Sequence, residues 1–439
     1  MSTMQNTQKA VYPLIHPLKN VQLGESFTSL LEGSGIYVRD ENGKPYIDGI
    51  SGLWNVSLGY GHPGIRQAIL EQLDRIPFVN LVDQTNPTTV KFAQELLALT
   101  PERLSRAIYT CTGSESAELA IKLMRKYQSL RGLEQKQNIV ALSISYHGTY
   151  YGAMSASGID REISRGYGPK VPGFLFHDTP FSSLERGSED EELRAIEELF
   201  EREGDRIAGM IVEPIIGSGG TIPLPDAFLR KIRELCDLHG ALLAFDEVAT
   251  GMGRTGRMFA FEHSGAVPDI LCLSKGINSG YLPLGAVLFS EAIYREFAAA
   301  NLHIEHLSTQ NGNPIACAAG LATIEALNQP GMLEHVSEMG ELLRELLNEE
   351  LADCPAFLET RGKGLMIGVA LQDDLAGGVC MEAERLSALI GRLKQRGLIV
   401  YPFYTPGVTT GFHLYPPFII SAQEVSKIVG IIKKTLGGR

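Results

Sequence analysis

The sequence predicts an α/β fold: one large, mostly parallel sheet, followed by a second, smaller αβ region. Three observations predict it. Short apolar runs alternate with amphipathic helical stretches through the middle of the chain, the pattern of βαβ units. Two of these runs carry an acid and a lysine out of apolar surroundings into Gly-rich turns, Asp246 after 241–245 and Lys275 after 269–274. Beyond about Asn328 the alternation resumes on a smaller scale, with helix and strand patterns up to a last helix that starts at Ser421.

The stretch 241–288 reads ALLAFDEVATGMGRTGRMFAFEHSGAVPDILCLSKGINSGYLPLGAVL. Its first run contains neither Gly nor Pro and reads as a fully buried strand. Ligands of open α/β sheets bind at the carboxyl ends of the strands, where Asp246 and Lys275 are delivered. A lysine beside apolar strand residues loses hydration, which lowers its pKa and frees a neutral amine for Schiff-base chemistry with an aldehyde such as pyridoxal phosphate. A carboxylate such as Asp246 can keep a pyridine nitrogen protonated, so that the ring accepts electrons. The same two residues are also compatible with a structural ion pair, or with a lysine that snorkels to the surface.

The first twenty residues are polar and Pro-interrupted and read as an irregular arm. Residues 35–48 read as a hairpin turned at Asn42-Gly43. Trp54, the only tryptophan, follows among glycines and small polar residues, as core filler or as a pocket wall. After a strand at 107–111, Thr112 and Glu115 form a capping box for an amphipathic helix. Its start, Gly113-Ser114, offers free N–H groups, a hydroxyl and a positive dipole end, which suit a phosphate as well as a plain helix cap. A strand over 139–145 delivers Tyr146 and His147, and another over 207–212 delivers Glu213. The charged tract 184–206 reads as a solvated helix, and 226–240 as the helix before the central block.

Within that block, 251–256 matches G-x-G-x-x-G, with Asp269 near the offset of a dinucleotide-binding acid. Five residues separate the strand from the first glycine, however, and no helical pattern follows Gly256, which argues against a nicotinamide dehydrogenase. His303, Glu305 and His306 read as a loop and not as a metal site. Further on, 362–371 reads as strand, 381–397 as helix and 398–403 as strand.

The chain has 439 residues, 44% of them hydrophobic, and a formal charge of −12. The acidity argues against nucleic-acid or anionic-membrane partners. Six cysteines are scattered with no C-x-x-C pair, as free thiols of a cytoplasmic protein would be. No apolar run approaches membrane-spanning length, and the first twenty residues lack a signal-peptide pattern.

The words FDEVATGMGRTG, PDILCLSKGI and GYLPLGAVL, in this order and spacing, resemble class III pyridoxal-phosphate-dependent aminotransferases, the fold-type-I family of ω-amino acid and amine transaminases. The similarity extends over nearly the whole chain. It implies a large cofactor domain at 61–327 with a mostly parallel seven-stranded sheet. A smaller αβ domain would be formed by the N-terminal part (1–60, arm included) and the C-terminal part (328–439). It implies pyridoxal 5'-phosphate bound to Lys275, its ring nitrogen held by Asp246 with support from Glu213. The phosphate would sit at Gly113 and Ser114, and Tyr146, beside His147, and Val248 would lie on the ring faces. Thr309, before G-N-P, would reach into the phosphate site of a neighbouring subunit, which implies a homodimer with shared active sites. Trp54 would line the substrate pocket. The implied reaction is ping-pong transfer of an amino group between an amine or ω-amino donor and a keto acid, aldehyde or ketone. The scaffold also hosts aminomutases, racemases, a decarboxylase and phospho-lyases.

Two departures bear on substrate. Many glutamate-using members carry Arg two residues before a Pro-Pro; here the run is GFHLYPPF, and His413 stands there. They also carry Glu where Ser218 stands, and Gln where Ile216 stands. A histidine cannot reproduce the two-pronged carboxylate grip of a guanidinium. The substitution therefore implies a donor without an α-carboxylate in one half-reaction, with His413 either touching substrate or serving as a neutral structural substitute.

Overall fold

The computed structural model describes residues 14–18, 27–159, 164–180, 189–373, 380–405 and 407–437. The arm expected over the first twenty residues lies mostly outside them.

Seven strands form the central sheet. From edge to edge they run Leu104–Thr110, Gly285–Ser290, Ile270–Leu273, Leu242–Asp246, Ile207–Val212, Asn138–Leu142 and Phe174–His177. Only Gly285–Ser290 runs against the others. Leu242–Asp246 lies near the middle, buried along its whole length, as its unbroken apolar run requires. Helices Gly113–Leu130 and Asp226–His239 make the crossovers, the second ending on Gly240 in the left-handed region at φ +61°. The charged tract expected to be solvated is a helix over Glu189–Glu203 within the described residues. One side of it packs on the core through Ile196, Leu199 and Phe200.

The cap at Thr112 departs from the reciprocal box in one detail. Thr112 Oγ1 accepts from Glu115 N (3.1 Å), but the Glu115 carboxylate takes the N–H of Cys111 (2.8 Å), one residue further back. Glu115 also accepts from Ser308 Oγ, which diverts it from a purely local cap.

The N- and C-terminal parts share a sheet. Leu30–Ser34, Tyr37–Asp40 and Pro45–Asp48 form an antiparallel meander that Leu398–Ile399 joins in parallel. The hairpin turn is where Asn42-Gly43 places it, with Asp40 Oδ1 accepting from Asn42 N and Lys44 N and Gly43 at φ +77°. A further antiparallel sheet has the order Phe357–Lys363, Met366–Leu371, Thr409–Leu414, Tyr401–Thr405. Here the sequence reading needs correcting twice. The run 362–371 is the end of one strand, a tight turn through Gly364 (φ +54°) and a second strand. The run 398–403 divides between two sheets, because Leu398–Ile399 pairs with the N-terminal meander and Tyr401–Thr405 pairs with Thr409–Leu414.

The G-x-G-x-x-G stretch is a turn that no helix follows directly. Arg254 inside it is 1% exposed and donates to the carbonyls of Leu365 (3.0 Å) and Pro416 (2.7 Å) and to Ser51 Oγ (3.2 Å). This loop ties three distant segments together.

Candidate active site

Parallel neighbours put their carboxyl ends on one edge of a sheet, and this edge is where the polar residues collect. Asp246 ends its strand, Glu213 follows Ile207–Val212 by one residue, and Tyr146 and His147 follow Asn138–Leu142 on a short loop. Lys275 comes two residues after Leu273, with its backbone at φ +39°. A non-Gly residue in that region is held there by its surroundings, a kind of strain that concentrates at functional sites.

Alternation along the strand separates the two acids of the FDE run. Asp246 faces the pocket, while Glu247 turns away and clamps the chain at Ala260 N (2.7 Å) and Phe261 N (2.8 Å). Asp246 Oδ2 lies 2.7 Å from His147 Nδ1, and Asp246 Oδ1 accepts from Val248 N at 3.1 Å. Glu213 accepts from Tyr146 N through one carboxylate oxygen (2.8 Å) and from Gly217 N through the other (3.0 Å). Burial, helped by the charge of Asp246, pushes the Glu213 carboxyl up to about 7 against those two bonds and the nearby His147. Lys275 borders the cavity, yet its ammonium has lost most of its hydration. Burial therefore lowers its pKa, and the charges of Asp246 and Glu213 pull the other way. The indole of Trp54 covers the amine, with Nζ 4.6 Å from the ring centroid.

One pocket gathers nine of the residues singled out in the sequence: Trp54, Gly113, Ser114, Tyr146, His147, Glu213, Asp246, Val248 and Lys275. Two stay outside it. Thr309 is exposed, and His413 is fully buried behind Trp54, their ring centroids 5.0 Å apart. Three lining residues escaped the sequence reading: Thr112, Gly148 and Ala249. Thr112 had a signal, its cap position; the other two carry none. His303, Glu305 and His306 do not converge, since His303 meets Glu305 on the surface and His306 turns to Glu115 (3.2 Å).

The chain matches the aminotransferase class-III family over residues 20–436. It is a class III aminotransferase. It is similar to the acetylornithine aminotransferase of Bacillus cereus, 34% identical over 415 residues, which are 94% of this chain and 96% of that one. Among solved structures it is similar to an (S)-enantioselective ω-transaminase from Thermomicrobium roseum (TM-score 0.90, 36% identity, 96% of each chain). It is also similar to a pyridoxal-phosphate-bound amine transaminase from an uncultivated Pseudomonas species (TM-score 0.90, 30% identity, 97% of this chain and 98% of that one). These neighbours share its fold-type-I architecture, and pyridoxal 5'-phosphate is the cofactor of this aminotransferase.

The pocket residues fit that cofactor. Gly113 and Ser114 open an 18-residue helix, where backbone N–H groups point outward without intrahelical partners. A Cβ on Gly113 would stand 2.7 Å from Val248 Cγ1, so this corner is already filled up to the wall of the cavity. A buried carboxylate, Asp246, and a partly desolvated amine, Lys275, line the same cavity. No described helix of the aminotransferase is long and apolar enough to cross a membrane.

Proposed function

We propose that this aminotransferase takes its amino group, in one half-reaction, from a primary amine or ω-amino compound with no carboxylate beside the reacting carbon. The acceptor is a keto acid, aldehyde or ketone. The observation that carries this reading is the charge inventory of the pocket. Its basic side chains are Lys275 and His147, and His147 is already paired with Asp246. Among the described residues no arginine lines it. Arg361 is engaged with Thr409 Oγ1 (2.5 Å) and Glu359 (3.3 Å), and Arg254 with two carbonyls. His413 sits in the interior, where burial, with Arg361 and Lys275 nearby, pushes its imidazole down to about 3. It stays neutral at working pH and offers no charge to a carboxylate.

Bound pyridoxal phosphate supplies an aldehyde for the donor amine and a ring that stores the electron pair of the reacting carbon. The chain supplies the rest. Lys275 Nζ would hold the cofactor and, once freed by the donor amine, would take and return the proton of the reacting carbon. Its lowered pKa keeps a neutral amine available for that transfer. Asp246 would hold a proton on the ring nitrogen, and His147 fixes the carboxylate's direction. Glu213 accepts from the backbone of Tyr146, and Tyr146 and Val248 would border the ring. Gly113 and Ser114 would hold the phosphate, joined by Thr309 of a second copy, which would explain why Thr309 is exposed in one chain. Trp54 is the substrate wall. The working unit is thus a homodimer in the cytoplasm, divided into a cofactor domain at 61–327 and a smaller domain from 1–60 and 328–439.

The test is the visible absorption spectrum of the purified protein with alanine, lysine or 1-phenylethylamine added. A cofactor band that an amine converts to the pyridoxamine form, and that Lys275→Ala abolishes, is the expected result. Conversion by alanine but by no simple amine would overturn the donor class.

A further inference from the structure

We propose that His413 is a positioning residue for substrate size: anchored by Thr221, it sets the lie of the Trp54 indole, the wall that stands over Lys275. This rests on the reading of the pocket given above, and it concerns a residue with no contact of its own to the cavity.

His413 lies on a central strand of the antiparallel sheet, opposite Gly368 on one side and Tyr401 on the other. Gly368 leaves a gap in that row, and Thr221 fills it; a Cβ on Gly368 would come within 2.8 Å of Thr221 Cβ. From this gap Thr221 Oγ1 meets His413 Nδ1 at 2.8 Å and the Tyr415 hydroxyl at 2.8 Å. Thr221 itself ends the turn 217–221, at φ +56°, and the first residue of that turn, Gly217, donates to Glu213. The imidazole is thereby tied to the turn that the pocket acid also holds.

The other side of the imidazole meets Trp54. The two rings stand at 75° with centroids 5.0 Å apart, and Tyr415 lies 5.0 Å from the same indole. Trp54 needs such support, because its backbone is not at rest. Ser51, Gly52 and Trp54 all have positive φ, at +49°, +69° and +67°. Asp48 holds this kinked segment by accepting from Ile50 N and Gly52 N, and Ser51 Oγ donates to Tyr415 O. A strained loop keeps its conformation only while its contacts over-determine it. Remove the imidazole and the indole gains room to swing from Lys275 toward the sheet.

The polar atoms of the contact say that shape is not the whole of it. Trp54 Nε1 and His413 Nε2 are both buried without a hydrogen-bond partner among the described residues. A phenylalanine at 413 would fill the same space with no unpaired nitrogen, but it could not be anchored by Thr221.

Trp54 is the only tryptophan in the chain, so intrinsic emission reports on this wall directly. The experiment compares holoenzyme of the wild type, His413→Ala, His413→Phe and Thr221→Val. It measures Trp54 emission, its quenching by acrylamide, and the kinetics of a small and a bulky aryl amine. His413→Ala should shift the emission to longer wavelength and raise quenching about twofold. It should also raise the bulky-to-small ratio of kcat/KM about tenfold, with KM for the small amine moving more than kcat. Thr221→Val leaves the ring in place without its anchor and should move both readouts the same way by a smaller factor, as should His413→Phe. If His413→Ala does not fold, Thr221→Val and His413→Phe carry the test. Unchanged emission and an unchanged size ratio, with only a lower denaturation midpoint, would make His413 a plain core residue and overturn the proposal. A wild type that converts no amine would instead sink the donor assignment, and the emission data would still judge His413.

Discussion

The imidazole of His147 meets the carboxylate of Asp246 at 2.7 Å, with both side chains nearly sealed from solvent. They lie 99 residues apart in sequence, Asp246 as the last residue of its strand and His147 on the loop after Asn138–Leu142, the two strands flanking Ile207–Val212. The pair presents the pocket with a carboxylate whose direction is set before any ligand arrives, so it costs little reorganisation during the reaction.

Replacing that charge should be costly in rate and mild in binding. Asp246→Asn is expected to lower kcat by about 100-fold to 1,000-fold while the protein still takes up the cofactor. His147→Ala, which leaves the carboxylate but frees its direction, should cost about tenfold. Stopped-flow half-reactions with one amine, beside a cofactor titration, separate the two effects.

Gly113 tests the proposed phosphate corner. The added methyl of Gly113→Ala would stand 2.7 Å from Val248 Cγ1, closer than real contacts allow, so either the helix start or the valine must shift. Cofactor affinity should fall about tenfold, and Val248→Ala in the same chain should restore part of it, a non-additivity that a double-mutant cycle would measure.

Glu247 should leave its mark on stability against pH. Burial pushes its carboxyl up to about 7, against its bonds from Ala260 N, Phe261 N and Thr250. The folded state therefore keeps a proton that the unfolded chain has already lost. The stability tied to that proton is fully present below the unfolded value of 4.5 and fades as pH rises through about 7. A shift of this size corresponds to about 3 kcal/mol at most. Denaturation midpoints taken between pH 5 and 8 should fall, and Glu247→Gln should flatten that slope. An equal slope in the variant would assign the pH dependence to other groups.

Arg254 should not tolerate lysine. Its fork reaches two carbonyls from one nitrogen and Ser51 Oγ from the other, and its guanidinium lies 4.5 Å from the Phe418 ring. A lysine has one ammonium for those positions and loses more by desolvation. Arg254→Lys is expected to destabilise by about 2–4 kcal/mol, read as a lower denaturant midpoint. Because Ser51 lies in the Trp54 loop, the emission of Trp54 should change with it.

Much of this enzyme is legible in local runs of its sequence. The strand 241–245 can be read because five apolar residues without a breaker have few other uses, and its end then locates Asp246. Lys275 and the Thr112 cap can be read for the same reason: each is defined by residues within a few positions of itself. What lay beyond local pattern was every relationship across the chain. Nothing near Leu398 says that it pairs with Ile47, 351 residues earlier, while Tyr401 turns to a different sheet. Nothing near His413 says that Thr221, 192 residues away, will hold its ring, or that Trp54 will stand between it and the pocket. Periodicity records which face of an element is apolar. Which buried face meets which is settled only when the whole core packs, because that choice depends on volumes and hydrogen-bond partners supplied from far along the chain. The sequence by itself thus determined the buried strands of the central sheet and the placing of Lys275 and Asp246 at their ends. The tertiary structure decided that His147 braces the acid, that no guanidinium among the described residues lines the pocket, and that a buried histidine stands behind Trp54.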